Sequence, residues 1–425
     1  MIIPSVDIQN GQAVQLIEGK TLAIEAGDPY PIAKKFSRVG EIAVIDLDAA
    51  MGVGENGQII KTLVREFPCR VGGGIRSYEK AKFWLDAGAE KIIIGTAAEV
   101  ELLKRLPKER VIVALDHYFN NVVINGWTER SGVYLGERLT ELSPYVGGFL
   151  ITLVHQEGKM TGLSNDDFLK YIGLQEKYKT YFTLAGGIKD LIDINNLDMA
   201  GIDTQVGMAL YTGELKLGEV VASTFMSLEE LTPTIVTDTN GVVLGFCYSN
   251  TESLIHSIET GKATYWSRKR GLWVKGETSG NTQEVIRIIP DCDKDSIKVI
   301  VKQTGKGFCH KNTYTCWGEG KNGLVKLEQT IQERKNSAGD SYTQQLLANS
   351  DFLRSKLLEE AEELADASSK EDVIWEAADL IYFTLVRMGE AGVTLADVER
   401  ELDLRARRKN SMWTFYDLDK PPTPS

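Results

Sequence analysis

The chain has 425 residues, 60 acidic against 48 basic side chains and a formal net charge of −12. That length allows two to four domains, and the acid excess argues against nucleic acid as the main partner. No apolar run approaches a membrane span, and the opening MIIPSVDIQNGQ lacks a signal-peptide pattern, so a cytoplasmic protein is expected. Five cysteines, odd in number and three of them between 287 and 316, suit metal ligation in a reducing compartment better than a disulfide framework.

From residue 1 to about 226, short β-rich runs alternate with helical stretches: AVIDLDAA (43–50), KIIIGTAA (91–98), RVIVALD (110–116), GGFLITLV (147–154) and TQVGMALY (204–211). This alternation signals parallel βα units. An internal repeat runs through it. Asp7 and Asp116 each end an apolar run, RVGGGI (70–75) resembles TLAGGI (183–188), and IIIGTAA resembles TQVGMALY. Asp7 to Gly74 is 67 residues and Asp116 to Gly187 is 71; Gly74 to Gly95 is 21 and Gly187 to Gly207 is 20. Matching motifs at matching spacing predict a duplicated half-barrel closed into an α/β (βα)8 barrel. Its active end would carry the two aspartates as paired acid and base. The glycine-rich strand ends of each half would offer backbone N–H groups to one phosphate each.

The texture changes near 229. TPTIVTDTNGVVLGFCYSN reads as strand, Thr-Asn-Gly turn, strand, and short β-rich pieces continue to about Gly320. Within them Asp291, Asp293 and Asp295 alternate, which on an extended segment sends three carboxylates to one side; hard oxygens suit magnesium. Cys292, Cys309 and Cys316 offer soft thiolates that suit zinc, with a fourth position left for water. From Leu324 the chain turns helical. KLLEEAEEL sets Glu359, Glu360 and Glu363 within a turn, and Glu376 and Asp379 lie three apart on the next helix, so both sets share a face. Charge runs on helices are usually solvated faces, but Trp375, Ala377, Ala378, Leu380 and Ile381 make that second helix largely apolar around its acids, where acids are costly to bury unless paired or bound to metal.

Three resemblances fit these segments. SVDIQNGQAVQL, DLDAA, VGGGIRS and the VALD…NGW stretch resemble the isomerase of histidine biosynthesis that converts a formimino-aminoimidazole carboxamide ribotide aldose to its ketose. This implies Asp7 as general base, Asp116 as general acid, Thr152 assisting and Trp127 stacking on substrate. Phosphate contacts would come from Gly74, Arg76, Gly95 and Thr96 in one half and Gly186, Gly187 and Gly207 in the other. The chain departs from that pattern at Gln15, at Lys20 and in the loop HQEGKMTG (155–162). A silent scaffold barrel and a cyclase barrel with a glutaminase partner are the alternatives.

TYWSRKRGLWVKGETSGN, DCDKD and GFCHKNTYTCWGEG resemble phosphoribosyl-AMP cyclohydrolase, with Asn281 at a position where a histidine is expected. The resemblance implies zinc on Cys292, Cys309 and Cys316, shared between the subunits of a homodimer, and magnesium on Asp291, Asp293 and Asp295. It also implies His310 beside the metal, and substrate contacts at Arg268, Lys275, Thr278 and Ser279. SYTQQLL, K-x-x-EE-x-x-E and E-x-x-D-L-I-Y resemble phosphoribosyl-ATP pyrophosphohydrolase, with Phe383 in place of an expected histidine. This implies magnesium on Glu360, Glu363, Glu376 and Asp379, with Glu359 as a further catalytic candidate.

The expected layout is therefore a barrel (1–228), a small α+β zinc domain (229–322) and an all-α domain (323–425) ending in a frayed PPTPS tail. Small phosphoribosyl nucleotides would be the substrates. The competing class is a zinc-containing interaction module, which the cysteine spacing and the lack of an aromatic-basic patch disfavour.

Overall fold

A computed structural model of the chain describes residues 1–124, 127, 129–225, 231–318 and 323–409. The PPTPS tail, Asn125, Gly126 and the expected boundary at 228/229 lie outside the described residues. Packing divides the chain into two compact units. One contains 1–236 and 246–305, the other 237–245 and 306–407.

The first unit opens with eight parallel strands: β1 (Ile2–Gln9), β2 (Ile42–Asp46), β3 (Cys69–Gly72), β4 (Lys91–Ile94), β5 (Val111–Tyr118), β6 (Gly148–Leu153), β7 (Tyr181–Ala185) and β8 (Asp203–Val206). Each pairs with the next, and β8 pairs back onto β1 through Ile2↔Thr204, closing the barrel. The repeat is thus β1–β4 and β5–β8, with Asp7 and Asp116 on the first strand of each half. Inward side chains of alternate positions, Ile93, Ile112, Leu150 and Ala185 with Ile45 and Ala114, pack as an interior core. At the strand starts Arg70 is buried, donating to Thr183, Glu41 and Asp203.

Three of the expected strands overrun, KIIIGTAA leaving β4 at Ile94. AVIDLDAA leaves β2 at Asp46, whose carboxylate accepts from Ala49 N and caps the helix Leu47–Met51; TQVGMALY becomes helix from Met208. Asp48 and Asp46 are both bound by Asn56, so the aspartates of DLDAA fasten a loop.

A six-stranded sheet follows: β9 (Thr232–Asp238), β10 (Val243–Ser249), β11 (Thr264–Ser267), β12 (Gly271–Val274), β13 (Gln283–Pro290) and β14 (Ile297–Gln303). Its spatial order is β12-β11-β10-β9-β14-β13. The boundary between the units crosses the β9–β10 hairpin. In the second unit, helices α1 (Gly323–Lys335), α2 (Tyr342–Ala348), α3 (Ser350–Asp366), α4 (Lys370–Ala391) and α5 (Leu395–Lys409) surround Ile331, Leu346, Leu353, Phe383, Leu385 and Val386. Phe383 is therefore a core side chain, 5% exposed. Among the described residues no helix is long and apolar enough to cross a membrane.

Candidate functional sites

Parallel strands place the ends of β1, β5 and β6 on one mouth of the barrel. Asp7 accepts from Ser5 Oγ at 2.6 Å and from Gln15 Nε2 at 3.5 Å. Burial pushes its carboxyl up to about 6 despite those two bonds. Asp116 is raised by burial as well, opposed by hydrogen bonds from Thr152 and from the Trp127 indole, whose Nε1 donates to Oδ2 at 2.8 Å. Asp116, Thr152 and Trp127 are thus joined by hydrogen bonds, with Asp7 on β1 at the same mouth. Trp127 differs in one respect: its ring lies against Gly19, where a Cβ would come within 2.7 Å of it. The ring already has a protein neighbour on that side.

A residue missed in the sequence completes the mouth. Burial, reinforced by the charges of Asp7 and Asp116, drives the Glu157 carboxyl up to about 8, and its Oε2 is buried without a hydrogen-bond partner. The Asp7 carboxyl, at about 6, and the Glu157 carboxyl, at about 8, are thus pushed up to opposite sides of neutrality. The available signal was an acid-glycine pair, Glu157-Gly158, in the loop after the strand bearing Thr152.

The two glycine corners differ. A Cβ added at Gly95 would meet nothing within 4 Å, and Gly95 and Thr96 are exposed. Gly74 packs on Ala49, and Arg76 donates to the carbonyls of Ala49 and Ala50. In the second half, Cβ positions at Gly186, Gly187 and Gly207 fall 2.8, 2.2 and 2.4 Å from Glu157 Oε2, Gln156 Oε1 and Gln15 Oε1. Two of the three departures from the isomerase pattern, Gln15 and the loop 155–162, are what cover this corner.

In the six-stranded sheet, Asp291, Asp293 and Asp295 bring one carboxylate oxygen each within 4.8 Å of one another. They do so on a bend between β13 and β14 rather than on the extended segment expected. Ser296 closes it, donating from N and Oγ to Asp291 at 3.1 and 2.7 Å, and holds the Asp291 carboxyl below its usual range. Asp295 is raised, through its hydrogen bond to Asp291 and the charges of its neighbours. Cys292 is exposed on the same bend. Arg268 lies over Tyr248 at 5.1 Å, and Lys275, 6% exposed, lies over Trp273 at 5.6 Å. Thr278 and Ser279 are exposed, and Ser279 Oγ accepts from the N–H of buried Asn281 at 3.3 Å.

In the second unit, Lys311 N donates to Cys309 Sγ at 3.5 Å. That bond, with contributions from Thr313 and Cys316, lowers the Cys309 thiol toward a thiolate. His310 is exposed, its Nδ1 4.0 Å from the same sulfur. This donor set fits a soft cation.

Helices α3 and α4 of the second unit gather Glu360, Glu363 and Glu376, with carboxylate oxygens within 4.8 Å. Glu360 is only 6% exposed, and burial, then Asp379 and Glu363, raise its carboxyl. Glu376 is raised by burial and by Glu363. Mutual repulsion of this kind fits a divalent cation between the groups. Asp379 reaches the group through its charge on Glu360. Glu359 pairs with Lys356 at 2.8 Å and lines a cavity of about 480 Å³ with Glu362, Asp366 and Asp372. The expected apolar surround is only partial, since Trp375 is 71% exposed and Ile381 40%.

Residues 1–216 match the model of a family described as histidine biosynthesis protein, residues 245–318 that of phosphoribosyl-AMP cyclohydrolase, and 324–406 that of phosphoribosyl-ATP pyrophosphohydrolase. The chain is similar to a histidine biosynthesis bifunctional protein of Schizosaccharomyces pombe, 50% identical over 41% of this chain and 42% of that protein. It is 47% identical to a histidine biosynthesis trifunctional protein of Neurospora crassa over 46% of this chain and 22% of that one. The match to these fungal relatives thus spans less than half of their length. An imidazole-4-carboxamide isomerase of Methanocaldococcus jannaschii is 37% identical over 51% of this chain and 96% of its own length. The chain belongs to the histidine biosynthesis protein family, with cyclohydrolase and pyrophosphohydrolase segments following the barrel.

Proposed function

We propose that the chain performs three steps of histidine biosynthesis in the cytoplasm: pyrophosphate release from phosphoribosyl-ATP, hydrolytic opening of the purine of phosphoribosyl-AMP, and aldose-to-ketose isomerisation of the product. The observation that carries this reading is that three family segments follow one another without overlap, each with its own cluster of acids or thiols. The three domains would be 1–228, 229–322 and 323–425.

In the last domain, Glu360, Glu363, Glu376 and Asp379 would hold magnesium, which neutralises a leaving pyrophosphate and activates water. Glu359, at the edge of the acidic cavity, is the further catalytic candidate. In the middle domain, Cys309 and Cys316 with Cys292 of a second protomer would hold zinc, and Asp291, Asp293 and Asp295 magnesium; zinc supplies a water acidic enough to attack the ring at neutral pH. His310 would carry a proton between that site and solvent. Arg268, Lys275, Thr278 and Ser279 would orient the phosphoribosyl group.

In the barrel, Asp7, ionised at neutral pH, takes the proton from C2 of the sugar while Asp116 assists ring opening as acid. Thr152 and Trp127 hold Asp116 in place, and the two glycine corners take the two phosphates. The covered second corner favours one other reading, a scaffold barrel without turnover. Metal-loaded protein supplied with phosphoribosyl-ATP separates the two. Successive pyrophosphate, opened ring and ketose support three activities; accumulation of the aldose makes the barrel a scaffold, and unconsumed phosphoribosyl-ATP overturns the enzymatic reading.

A further inference from the structure

The acidic bend 291–295 contains its own potential counter-ion. Lys294 lies between Asp293 and Asp295 in sequence, and a lysine ammonium turned toward the three carboxylates would neutralise one of them and occupy the space between. It is instead bound elsewhere. Lys294 Nζ pairs with Oδ2 of Asp198, on the barrel helix Leu191–Met199. Among the described residues no ion pair joins Lys294 to Asp291, Asp293 or Asp295. Asp198 is well placed to hold it, with its side chain 13% exposed and its other oxygen paired with the N-terminal ammonium at 2.9 Å. Burial alone would raise the Asp198 carboxyl, but the Lys294 and N-terminal ammonium groups overcome that and keep it below its usual range.

The backbone carries a cost for this arrangement. Lys294 has φ +62°, in the left-handed region that a side chain with a Cβ adopts at an energetic cost. A non-glycine residue held there on a short bend needs contacts that fix it, and the pair with Asp198 is such a contact.

We propose that Asp198 is a positioning residue for the acidic bend: by holding the Lys294 ammonium on the barrel, it keeps that charge out of the aspartate trio and leaves the trio open to a divalent cation. The barrel thereby serves the neighbouring site whether or not it turns over substrate itself. The proposal rests on the reading of the trio as a cation site, and its test distinguishes the failure of each.

Manganese, followed by the electron paramagnetic resonance of the free ion, is titrated into full-length protein carrying E360Q and E363Q to silence the helical cluster. Asp293→Asn reports what the bend contributes. Asp198→Ala releases Lys294 and is expected to weaken manganese binding at the bend roughly fivefold, the ceiling for a partly exposed ion pair. Adding Lys294→Met to Asp198→Ala removes the released competitor and should restore the affinity. Unchanged binding in Asp198→Ala overturns the proposal, as does an equal loss in the double variant, which would mean that Asp198 only supports the fold. If Asp293→Asn leaves manganese binding intact, the trio is not a cation site and both readings fall.

Discussion

The indole N–H of Trp127 donates to Asp116 Oδ2 at 2.8 Å, while Ser5 Oγ donates to Asp7 Oδ1 at 2.6 Å. The equivalent aspartates of the two half-barrels are thus held by non-equivalent partners, and duplication alone does not account for that. If Asp7 is the base, Asp7→Asn should lower isomerisation by ~10²–10⁴-fold, the usual contribution of a positioned base. Binding of the ribotide should persist, because neither aspartate is placed to contact its phosphates. Turnover and binding measured on the same variant check both halves of the statement, and unimpaired turnover would move the chemistry to other residues.

Glu157 gives the barrel a pH-dependent stability whose sign follows from burial. Its carboxyl is pushed from 4.5 to about 8 in the folded chain. Below the unfolded value both states hold the proton. Between 4.5 and about 8 only the folded state does, so this group's contribution to stability is lost as pH rises through that window. Glu157→Gln removes the titration. The variant should melt nearer the wild type at pH 5 and above it at pH 8. A melting difference that does not change with pH contradicts the buried, protonated assignment.

The barrel was legible because β-branched runs and glycine-ended strands recur at nearly the same spacing in both halves. Strand ends were less so: DLDAA and GMALY each run straight from strand into helix, and hydrophobicity does not mark that change. Glu157 was harder to read for a different reason. An acid in a polar loop reads as solvated, and only the tertiary fold carries that loop over Asp7 and Asp116. The three aspartates do come together, but on another geometry than expected, since the bend closed by Ser296, not the alternation of a strand, brings the oxygens within reach of one another. On α4 the apolar residues around Glu376 signalled burial, yet Trp375 is largely exposed in the single chain.

Cys309 and Cys316 share the second unit, and the Lys311 N–H already biases Cys309 toward the thiolate a metal needs. Cys309→Ser should therefore lose zinc, measured by metal analysis of the purified protein, and with it ring opening of phosphoribosyl-AMP. Pyrophosphate release should be untouched, because the acids proposed for it lie on α3 and α4. Zinc retained at wild-type stoichiometry with ring opening intact would remove the thiolates from the proposed site.

The acids of α3 and α4 offer a test in which activity and stability move in different directions. Burial and the neighbouring charges of Asp379 and Glu363 raise the Glu360 carboxyl, so without a cation these groups repel one another in the folded chain. Replacing one of them with its amide relieves that repulsion while removing a proposed ligand. Glu363→Gln and Asp379→Asn should each abolish pyrophosphate release from phosphoribosyl-ATP. Their melting temperatures in chelator should equal or exceed that of the wild type, and added magnesium should stabilise the wild type more than either variant. A solvated acidic face behaves otherwise: both amides would keep wild-type rates, and magnesium would shift all three proteins alike. Activity assays alone could confuse a lost ligand with a damaged fold. The melting series with and without magnesium separates the two, since a damaged fold melts lower in chelator as well.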